Sequence, residues 1–258
     1  MIAALIDSGL GMLPTAAWLK RLRPDLDQLL FTDPDNAPWG PKPEAWTIEK
    51  VVSTARRAVE MGADVVVLPC NTASVTALSH TRVALGPSVP VVGTVPAIKP
   101  AAAEHDSIAI WATAATTASR YQADLVAKFA DGKHVTAVAC HGLADAIDRG
   151  DSGAVSAAIA SAAERTPSGT RALVLGCTHY PLVVDEIVAA LPPGVELFDS
   201  AEAVARQTLK RVDEVGGVAG TGDVRVFLSG RPGALPDGAL AFEAGRLLAE
   251  SDTQRFVQ

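Results

Sequence analysis

The sequence predicts an α/β protein with mostly parallel sheets, and three observations support this prediction. Short apolar, β-branched runs alternate with helical patterns along the whole chain. Two of these runs, 63–68 and 171–176, lead into cysteine motifs, PCNTAS and GCTHYP. A helical pattern follows each motif. Because open α/β sheets bind ligands at the carboxyl ends of their strands, we expect both Cys70 and Cys177 at a ligand site, with two halves of the protein facing it.

Composition and charge narrow the class of protein. The chain has 258 residues, 48% of them hydrophobic, which is enough for one large domain or two smaller ones. Its 22 basic and 29 acidic residues give a net charge of -7 without a basic block, so we expect no nucleic-acid partner. The sequence shows neither a cleavable leader nor an apolar run of membrane-spanning length. We therefore expect a soluble cytoplasmic protein with no membrane partner.

The three cysteines are expected to be free thiols, because a reducing cytoplasm disfavours disulfides. An odd count without a C-x-x-C pair also argues against a structural zinc site. Cys177 and His179 as metal ligands are the alternative, but they lack enough partners at a recognisable spacing. Cys140 has no partner motif and is expected to be an inert core residue. We predict no bound metal.

The first part of the chain predicts strands that alternate with helices. The Pro-rich stretch TDPDNAPWGPKPE must be a loop, because proline disfavours both regular helix and central strand. The helix after it has an apolar stripe and ends at Gly62, and another helix follows Cys70 to about Leu85. The strands predicted in this part are Ala3–Ile6, Leu29–Phe31, 63–68 and Val89–Val92.

The remainder of the chain continues the alternation. One helix is predicted through Phe129, another to Leu191, a third after the capping motif DSAEAVA and a last one after Pro236. The strands predicted here are Ile108–Trp111, Val135–Ala139, 171–176, Val195–Phe198 and Val224–Leu228.

Two polar loops suit a bound anion. DSGLGM places an acid and a hydroxyl at a strand end, with glycines that let main-chain N–H groups approach a ligand. ATAATTAS places clustered hydroxyls at a helix start, which suits a carboxylate. Ordinary helix capping is the alternative for both loops, by Asp7 or Ser8 in the first and by Thr113 or Thr116 in the second.

Two thiols at matching positions fit a proton transfer that uses two bases. Inverting a carbon stereocentre without a redox change requires removal of a proton from one face and supply of a proton to the other. Free cysteine has a pKa of about 8.5, and a nearby donor, cation or helix start lowers it, so a thiolate and a thiol can coexist near neutral pH. Polar residues follow both cysteines, with Asn71 after the first and Thr178 after the second.

Motifs along almost the whole chain resemble those of the cofactor-independent glutamate racemases of the aspartate/glutamate racemase superfamily. The paired Cys-Asn-Thr and Cys-Thr-His motifs are the most specific of them. The matching segments, in order, are DSGLG, FTDPDNAPWGPK, PCNTAS, VPAIKPAA, TAATTASRY, LGCTHYPL, DSAEAVA and FLSG.

The resemblance implies two pseudo-symmetric three-layer lobes with the active site between them. Residues 1–94 and 208–258 would form the first lobe, which carries Cys70. Residues 95–207 would form the second lobe, which carries Cys177. The resemblance further implies a homodimer and an isomerase that works without cofactor or metal, on a small amino-acid substrate.

The resemblance also implies a role for each matching residue. Cys70 would take the α-proton from the D-isomer and Cys177 from the L-isomer. Asp7 would assist Cys70, His179 would assist Cys177, and Asp33 would be an acid behind the residues that touch the substrate. The residues implied to hold the carboxylates and the ammonium group are Ser8, Pro38, Asn71, Thr72, Thr113, Thr116 and Thr178, with the backbone at Trp39 and Gly40.

Some positions depart from the family pattern. Met12 stands where glycine is usual, Trp39 where tyrosine is usual, and Asp148 where glutamate is common. These changes preserve the expected reaction but leave the substrate open. We expect interconversion of L- and D-glutamate for peptidoglycan precursors. The alternatives are a racemase for aspartate or another amino acid, and, by family analogy, an acidic gyrase-binding protein with weak or lost catalysis.

Overall fold

The computed structural model describes residues 1–251, which form two compact units. The first unit combines Met1–Thr94 with the chain from Ala201 onward, and the second is Val95–Ser200. The second boundary therefore lies at Ala201, at the start of a helix, whereas the sequence placed it at residue 208. That helix belongs to the first unit because it packs against two strands and a helix of that unit.

The first unit contains six strands and six helices within the described residues. A 3-10 turn at Leu10–Met12 precedes its first helix. Its strands are β1 (Ile2–Ile6), β2 (Asp27–Thr32), β3 (Val65–Leu68), β4 (Val91–Gly93), β9 (Val224–Leu228) and β10 (Arg231–Gly233), and its helices are α1 (Leu13–Leu22), α2 (Glu44–Glu60), α3 (Asn71–Leu85), α10 (Ala201–Val215), α11 (Asp237–Leu240) and α12 (Glu243–Ala249).

The sheet of the first unit has the order β10-β9-β2-β1-β3-β4. All neighbouring strands are parallel except β10, which pairs antiparallel with β9. Apolar residues of α2 and α3 pack on one face, against Ile6 and Leu68 among others. Leu5 and Val67, whose side chains alternate to the opposite face, are also fully buried. Helices that cover both faces explain why these strands are continuously apolar.

The second unit contains four strands and six helices. A 3-10 turn at Tyr180–Val183 precedes α9. Its strands are β5 (Ser107–Ala112), β6 (His134–Ala139), β7 (Ala172–Leu175) and β8 (Glu196–Phe198), and its helices are α4 (Ile98–Glu104), α5 (Ala114–Thr117), α6 (Arg120–Phe129), α7 (Leu143–Arg149), α8 (Ser152–Glu164) and α9 (Val184–Ala190).

The sheet of the second unit is fully parallel, in the order β6-β5-β7-β8. Ile108 and Ile110 on β5 and Val174 on β7 form its core together with Ile98 and Ala101 of α4. The predicted fold class, α/β with mostly parallel sheets, is confirmed for both units. Among the described helices, none has both the length and the apolar character that a membrane span requires.

Several elements differ from the sequence predictions. Helix α4 was not predicted, and the single helix predicted after Pro236 is two helices, α11 and α12. The last strand was missed: β9 and β10 form a tight hairpin whose central residues, Ser229 and Gly230, both have positive φ (48° and 82°). Such two-residue turns favour Asn-Gly, so Ser-Gly gives a weak signal. The single helix predicted through Phe129 is two helices, because the Ser119 side chain caps a new helix by accepting a hydrogen bond from the Gln122 N–H.

Asp27 ties β2 to the glycine-rich loop that precedes β9. Its carboxylate accepts hydrogen bonds from the backbone N–H groups of Thr221, Gly222 and Asp223 at 2.9, 2.8 and 3.0 Å. Partial burial acts to raise the pKa of Asp27, but these N–H groups and the Thr221 hydroxyl outweigh burial and lower the pKa below its usual value. The ionised carboxylate therefore stabilises the loop.

We predict that Asp27→Ala lowers the free energy of unfolding by about 1–3 kcal/mol, because charge-assisted hydrogen bonds are lost. Since the folded-state pKa is depressed, this contribution is present above the unfolded-state pKa of about 3.9 and disappears as the pH falls through the folded-state value. Urea unfolding of both proteins at neutral and acidic pH measures it. Asp25→Ala is the matched control. Equal stability of wild type and Asp27→Ala at neutral pH would contradict the assignment.

Candidate active site

Cys70 lies at the junction between β3 and α3. The strand ends at Leu68, and Cys70 is the N-cap residue of the helix, with an extended backbone (φ -139°, ψ 121°). Its carbonyl accepts a hydrogen bond from the Ser74 N–H at 2.8 Å, and the Ser74 hydroxyl donates to the Leu68 carbonyl at 2.8 Å. These bonds fix the backbone around the cysteine, whose thiol is almost completely buried.

The environment of Cys70 favours the protonated thiol. Burial is the largest effect and raises the pKa of the thiol well above its usual range, and the nearby Asp7 carboxylate raises it further. Hydrogen bonds from the N–H groups of Ala73 and Ser8 act in the opposite direction and are weaker in sum. Cys70 therefore holds its proton at neutral pH and is suited to donate it.

Asp7 and Ser8 follow directly after β1. Both are buried, and the Ser8 N–H donates to the Asp7 carboxylate at 2.6 Å. Gly9 is the N-cap residue of the 3-10 turn that follows this pair. Capping by Asp7 or Ser8 stays the alternative for this loop. Parallel pairing of β1 with β3 brings this acid and hydroxyl to the same sheet edge as Cys70.

Asn71 and Thr72 form the first turn of α3 and are half-buried beside Cys70. Met12, which stands where glycine is usual in the family, is only 2% exposed. Its side chain therefore packs into the core of the first unit rather than widening or narrowing an exposed loop.

Asp33 is the centre of the Pro-rich loop. It is 2% exposed and accepts hydrogen bonds from Asn36 at 3.0 Å, from the Trp39 indole N–H at 3.1 Å and from Lys50 at 3.1 Å. Burial raises its pKa, but the side-chain donors, which include Ser229, outweigh burial and lower the pKa. The Asp33 carboxylate is thus ionised, and the hydrogen bonds that it accepts hold the loop in place.

The hydrogen bond to Asp33 determines the orientation of the Trp39 side chain. The indole is 2% exposed and points inward, whereas Pro38 and Gly40 on either side are exposed. An indole N–H can only donate, and here it donates to Asp33. The replacement of the usual tyrosine therefore changes the support of the loop, and only the backbone around Trp39 remains for a ligand.

Cys177 follows β7 in the second unit and forms a chain of polar contacts with His179 and Asp148. The Cys177 sulfur lies 3.6 Å from His179 Nδ1, and His179 Nε2 lies 3.0 Å from Asp148 Oδ1. Both Cys177 and His179 are less than a tenth exposed. Asp148 is on α7, so the second unit brings an acid, an imidazole and a thiol together from two segments, α7 and the stretch that follows β7.

His179 is positively charged at neutral pH in this arrangement. Burial lowers the pKa of the imidazole, but the Asp148 carboxylate and the Cys177 sulfur act in the opposite direction and raise the pKa well above its usual range. The Cys177 sulfur thus lies beside a cation. The second thiol site therefore has the opposite electrostatic character to that of Cys70.

The threonines of the second unit are at helix starts. Thr113 caps α5: its hydroxyl oxygen accepts from the Thr116 N–H at 3.2 Å, and its O–H donates to Thr116 Oγ1 at 3.0 Å. The capping alternative is therefore confirmed at Thr113. Both side chains are half-buried, as is Thr178 next to Cys177. Their proposed contact with a carboxylate stays a prediction.

Cys140 is a buried thiol at the end of β6. Its S–H lies 3.7 Å from the Val138 carbonyl, to which it donates. Burial raises the pKa of the thiol to about 12, although a hydrogen bond from the Tyr180 hydroxyl opposes this effect. The Cys140 thiol is therefore protonated at neutral pH, in keeping with the inert core residue predicted from the sequence.

Within the described residues, one group has ligand atoms close enough together for a metal ion, and it does not include any residue predicted for the site. It consists of Glu104, His105 and Glu196, whose ligand atoms lie within 4.8 Å of one another. His105 and Glu196 form an ion pair at 2.9 Å. The sequence prediction of no bound metal stays a prediction.

The structure groups the predicted residues by unit. Asp7, Ser8 and Cys70 meet in the first unit, and Cys177 meets His179 in the second. Sequence reasoning noted Asp148 only as a departure from the family and omitted it from the site. Asp145 and Asp148 are three residues apart on a short helix, and this spacing does not indicate which of the two acids faces inward.

Two α/β units, each with a buried thiol beyond a strand end and a charged partner, define the class of racemases that use two cysteines. The sequence pattern of the Asp/Glu/hydantoin racemase family matches residues 16–208. The chain belongs to this family and is an isomerase.

Individual relatives agree with this assignment. The chain is 34% identical over 217 residues to a glutamate racemase of Roseiflexus sp., covering 82% of this chain and 79% of the relative. It is 38% identical over 208 residues to a glutamate racemase of Vibrio campbellii, covering 79% and 76%. Escherichia coli glutamate racemase, solved with L-glutamate and the activator UDP-MurNAc-Ala, superposes with a TM-score of 0.79 at 30% identity, covering 93% of this chain and 91% of that one.

We predict that Asp148→Asn lowers the pKa of the His179 imidazole, because the charge that raises it is removed. Titration of the histidine ring signals by NMR measures the change. Asp145→Asn makes the same charge change elsewhere on the same helix and is the control. An unchanged His179 titration in Asp148→Asn would show that another group holds the imidazolium.

For Trp39→Phe we expect a loss of about 1–3 kcal/mol of unfolding free energy, because a buried indole bond to a carboxylate disappears. Substrate preference should stay as in wild type, since the indole faces Asp33. Denaturant unfolding and a panel of amino-acid substrates measure the two effects. Trp46→Phe controls for the smaller ring. A switch in preference among amino acids would mean that the indole reaches the substrate.

Proposed function

We propose that the protein interconverts L- and D-glutamate by a cofactor-independent transfer of the α-proton that uses two thiols. The observation that carries this proposal is the contrast between the thiol sites. Cys70 is held as a thiol by burial and by Asp7, whereas Cys177 contacts an imidazolium, His179. One site thus holds a proton ready to give, and the other supports a sulfur that accepts one.

In the proposed direction from L to D, the Cys177 thiolate takes the α-proton of the amino acid. The Cys70 thiol then gives its proton to the opposite face of the resulting carbanion. The C–H bond that breaks leaves its electron pair on the α-carbon, and the new C–H bond uses that pair, so no electrons leave the substrate. Afterwards Cys70 is a thiolate and Cys177 a thiol, which is the state required for the reaction from D to L.

The partners of each thiol have distinct proposed roles. Asp7 assists Cys70. Its negative charge disfavours the Cys70 thiolate and so promotes transfer of a proton back to the Cys70 sulfur. His179 assists Cys177, and Asp148 keeps the imidazole oriented and charged. We add Asp148 to the proposed catalytic apparatus as a positioning residue. Asp33 supports the Pro-rich loop from behind.

The carbanion needs dense hydrogen bonding, because the α-proton of an amino acid is a very weak acid. Hydroxyl groups and main-chain N–H groups at helix starts supply such bonds. The residues proposed to hold the carboxylates and ammonium group are Ser8, Pro38, Asn71, Thr72, Thr113, Thr116 and Thr178, with the backbone at Trp39 and Gly40.

Glutamate is the proposed substrate because the relatives described above are glutamate racemases and one was solved with L-glutamate. D-Glutamate of this origin would serve peptidoglycan precursors. Free thiols in the catalytic step suit a reducing cytoplasm, and we propose a homodimer there by analogy with the family. Aspartate turnover, or gyrase inhibition without turnover, are the outcomes that would replace this proposal.

Circular dichroism of L-glutamate, D-glutamate and a panel of other amino acids tests the function. We predict that purified protein removes the signal of either glutamate enantiomer without an added cofactor. Cys70→Ala and Cys177→Ala should each lose about 10²–10⁴-fold in rate, the usual contribution of a positioned acid or base.

Cys140→Ala is the matched control, because it removes a buried thiol of the same chain that is outside the proposed step. It should stay close to the wild-type rate. Racemisation that survives in either Cys70→Ala or Cys177→Ala would exclude the two-thiol reaction. Turnover of aspartate in preference to glutamate would keep the reaction and replace the substrate.

A further inference from the structure

Ser74, near the start of α3, is a buried residue to which the proposed reaction gives no role. Serine and threonine within a helix often donate to the carbonyl one turn back, as Thr76 does to Thr72 at 2.8 Å on the same helix. The Ser74 hydroxyl instead donates to the carbonyl of Leu68, six residues back, at 2.8 Å. This hydrogen bond therefore leaves the helix and reaches the end of strand β3.

The hydroxyl oxygen of Ser74 also accepts a hydrogen bond, from the Thr94 N–H at 2.9 Å. Thr94 comes directly after β4, whose last residue, Gly93, pairs with Leu68 in parallel register. Thr94 is buried, and it is the last residue of the first unit before the chain enters the second. One buried hydroxyl therefore joins the ends of two neighbouring strands to the start of a helix.

Gly93 allows α3 to pack this closely on β4. A Cβ added at Gly93 would lie 2.7 Å from Leu78 Cδ2 and 3.2 Å from Ser74 Oγ. A larger residue at this position would therefore have to displace the Leu78 side chain and would crowd the Ser74 hydroxyl. The absence of a side chain at Gly93 thus preserves the hydrogen bond between Ser74 and Thr94.

The hydrogen bonds of Ser74 affect Cys70 through the backbone at the helix start. Cys70 is the N-cap residue of α3, and its carbonyl accepts from the Ser74 N–H at 2.8 Å. The N–H group of Ala73, the residue just before Ser74, acts on the Cys70 sulfur and lowers the pKa of the thiol against the effect of burial. Ser74 therefore fixes both the carbonyl of Cys70 and the backbone that carries this N–H group.

The second thiol has no counterpart of this serine. Pro181 stands four residues after Cys177, as Ser74 does after Cys70. Proline has neither a hydroxyl nor an N–H group. The Cys177 sulfur is instead placed beside His179, at 3.6 Å from Nδ1. Loss of the Ser74 hydroxyl is therefore expected to disturb one thiol and to leave the other in place.

We propose that Ser74 is a positioning residue for Cys70, because its hydroxyl joins the start of α3 to the ends of β3 and β4 and so fixes the place of the thiol. This role rests on the proposed function, in which Cys70 takes the α-proton of the D-isomer. Ser74 itself transfers no proton. Misplacement of a reacting group by about 1 Å can lower a rate by roughly 10²-fold, so a small shift of this turn is enough to slow the step.

Exchange of the α-proton in deuterium oxide at saturating amino acid tests this role, because it follows each thiol separately. In a Cys177→Ala background, where Cys70 acts alone, Ser74→Ala should slow exchange of D-glutamate at least about tenfold. In a Cys70→Ala background, the same substitution should leave exchange of L-glutamate by Cys177 unchanged. A role in overall stability alone would not affect the two thiols differently.

Two further variants serve as controls. Ser74→Thr keeps the hydroxyl and should restore most of the D-glutamate exchange. Ser79→Ala removes an exposed hydroxyl from the same helix and should exchange both enantiomers as wild type does. Thermal unfolding checks the fold of each variant.

Gly93→Ala provides a second test in case Ser74→Ala does not fold. It keeps the serine but places a methyl group against the Ser74 hydroxyl and the Leu78 side chain. It should slow exchange of D-glutamate by Cys70 and leave exchange of L-glutamate by Cys177 unchanged.

Backbone amide exchange measured by NMR tests the geometry without turnover. In Ser74→Ala the Thr94 N–H loses its acceptor and should exchange with solvent at least about tenfold faster than in wild type. The Ala73 N–H should also exchange faster, because the turn that holds it is loosened. Both amides should keep their wild-type rates in Ser79→Ala.

Unchanged exchange of D-glutamate in both Ser74→Ala and Gly93→Ala would overturn the proposal, and so would an equal loss of exchange through both thiols. An active wild-type protein with either result refutes only the role of Ser74. Absence of turnover by the wild-type protein refutes the proposed function. Faster exchange of the Thr94 and Ala73 amides in Ser74→Ala would then still support the placement of Cys70 by this serine.

Discussion

Burial of thiols at strand ends is the constraint on which the site depends. Burial away from solvent raises the free energy of a thiolate, and the two units place different charges beside their thiols. In the first unit burial and the Asp7 carboxylate both raise the pKa of Cys70, so this thiol stays protonated. In the second unit the buried Cys177 sulfur lies beside an imidazolium that Asp148 holds in place. This difference in surroundings is the basis of the proposal that one thiol gives a proton while the other accepts one.

The parallel sheets explain why these groups meet. Strands β1 and β3 are neighbours, so Asp7 and Cys70, which follow them, reach the same sheet edge. Each thiol also comes just before a helix or a 3-10 turn. The sheets position these residues, and short-range contacts between the side chains determine their protonation. The Pro-rich loop depends in turn on Asp33, which gathers donors from the loop and from α2.

The sequence predicted most of the strands, and the position of both cysteines just past a strand end, because buried parallel strands have a continuous apolar pattern that turn residues interrupt. The hairpin at Ser229 was missed, since its turn uses serine at a position where asparagine is the usual signal. Asp148 was not assigned to the site, because the direction of a side chain on a short helix depends on packing and not on spacing. The inward direction of Trp39 likewise depends on Asp33, which no sequence pattern specifies.

Each thiol is proposed to act on one enantiomer, and hydrogen exchange in deuterium oxide distinguishes the two assignments. NMR would follow the α-proton of L- and of D-glutamate separately in Cys70→Ala and in Cys177→Ala. We predict exchange of L-glutamate alone in Cys70→Ala, where Cys177 remains, and of D-glutamate alone in Cys177→Ala. Exchange of both enantiomers in either variant would contradict it.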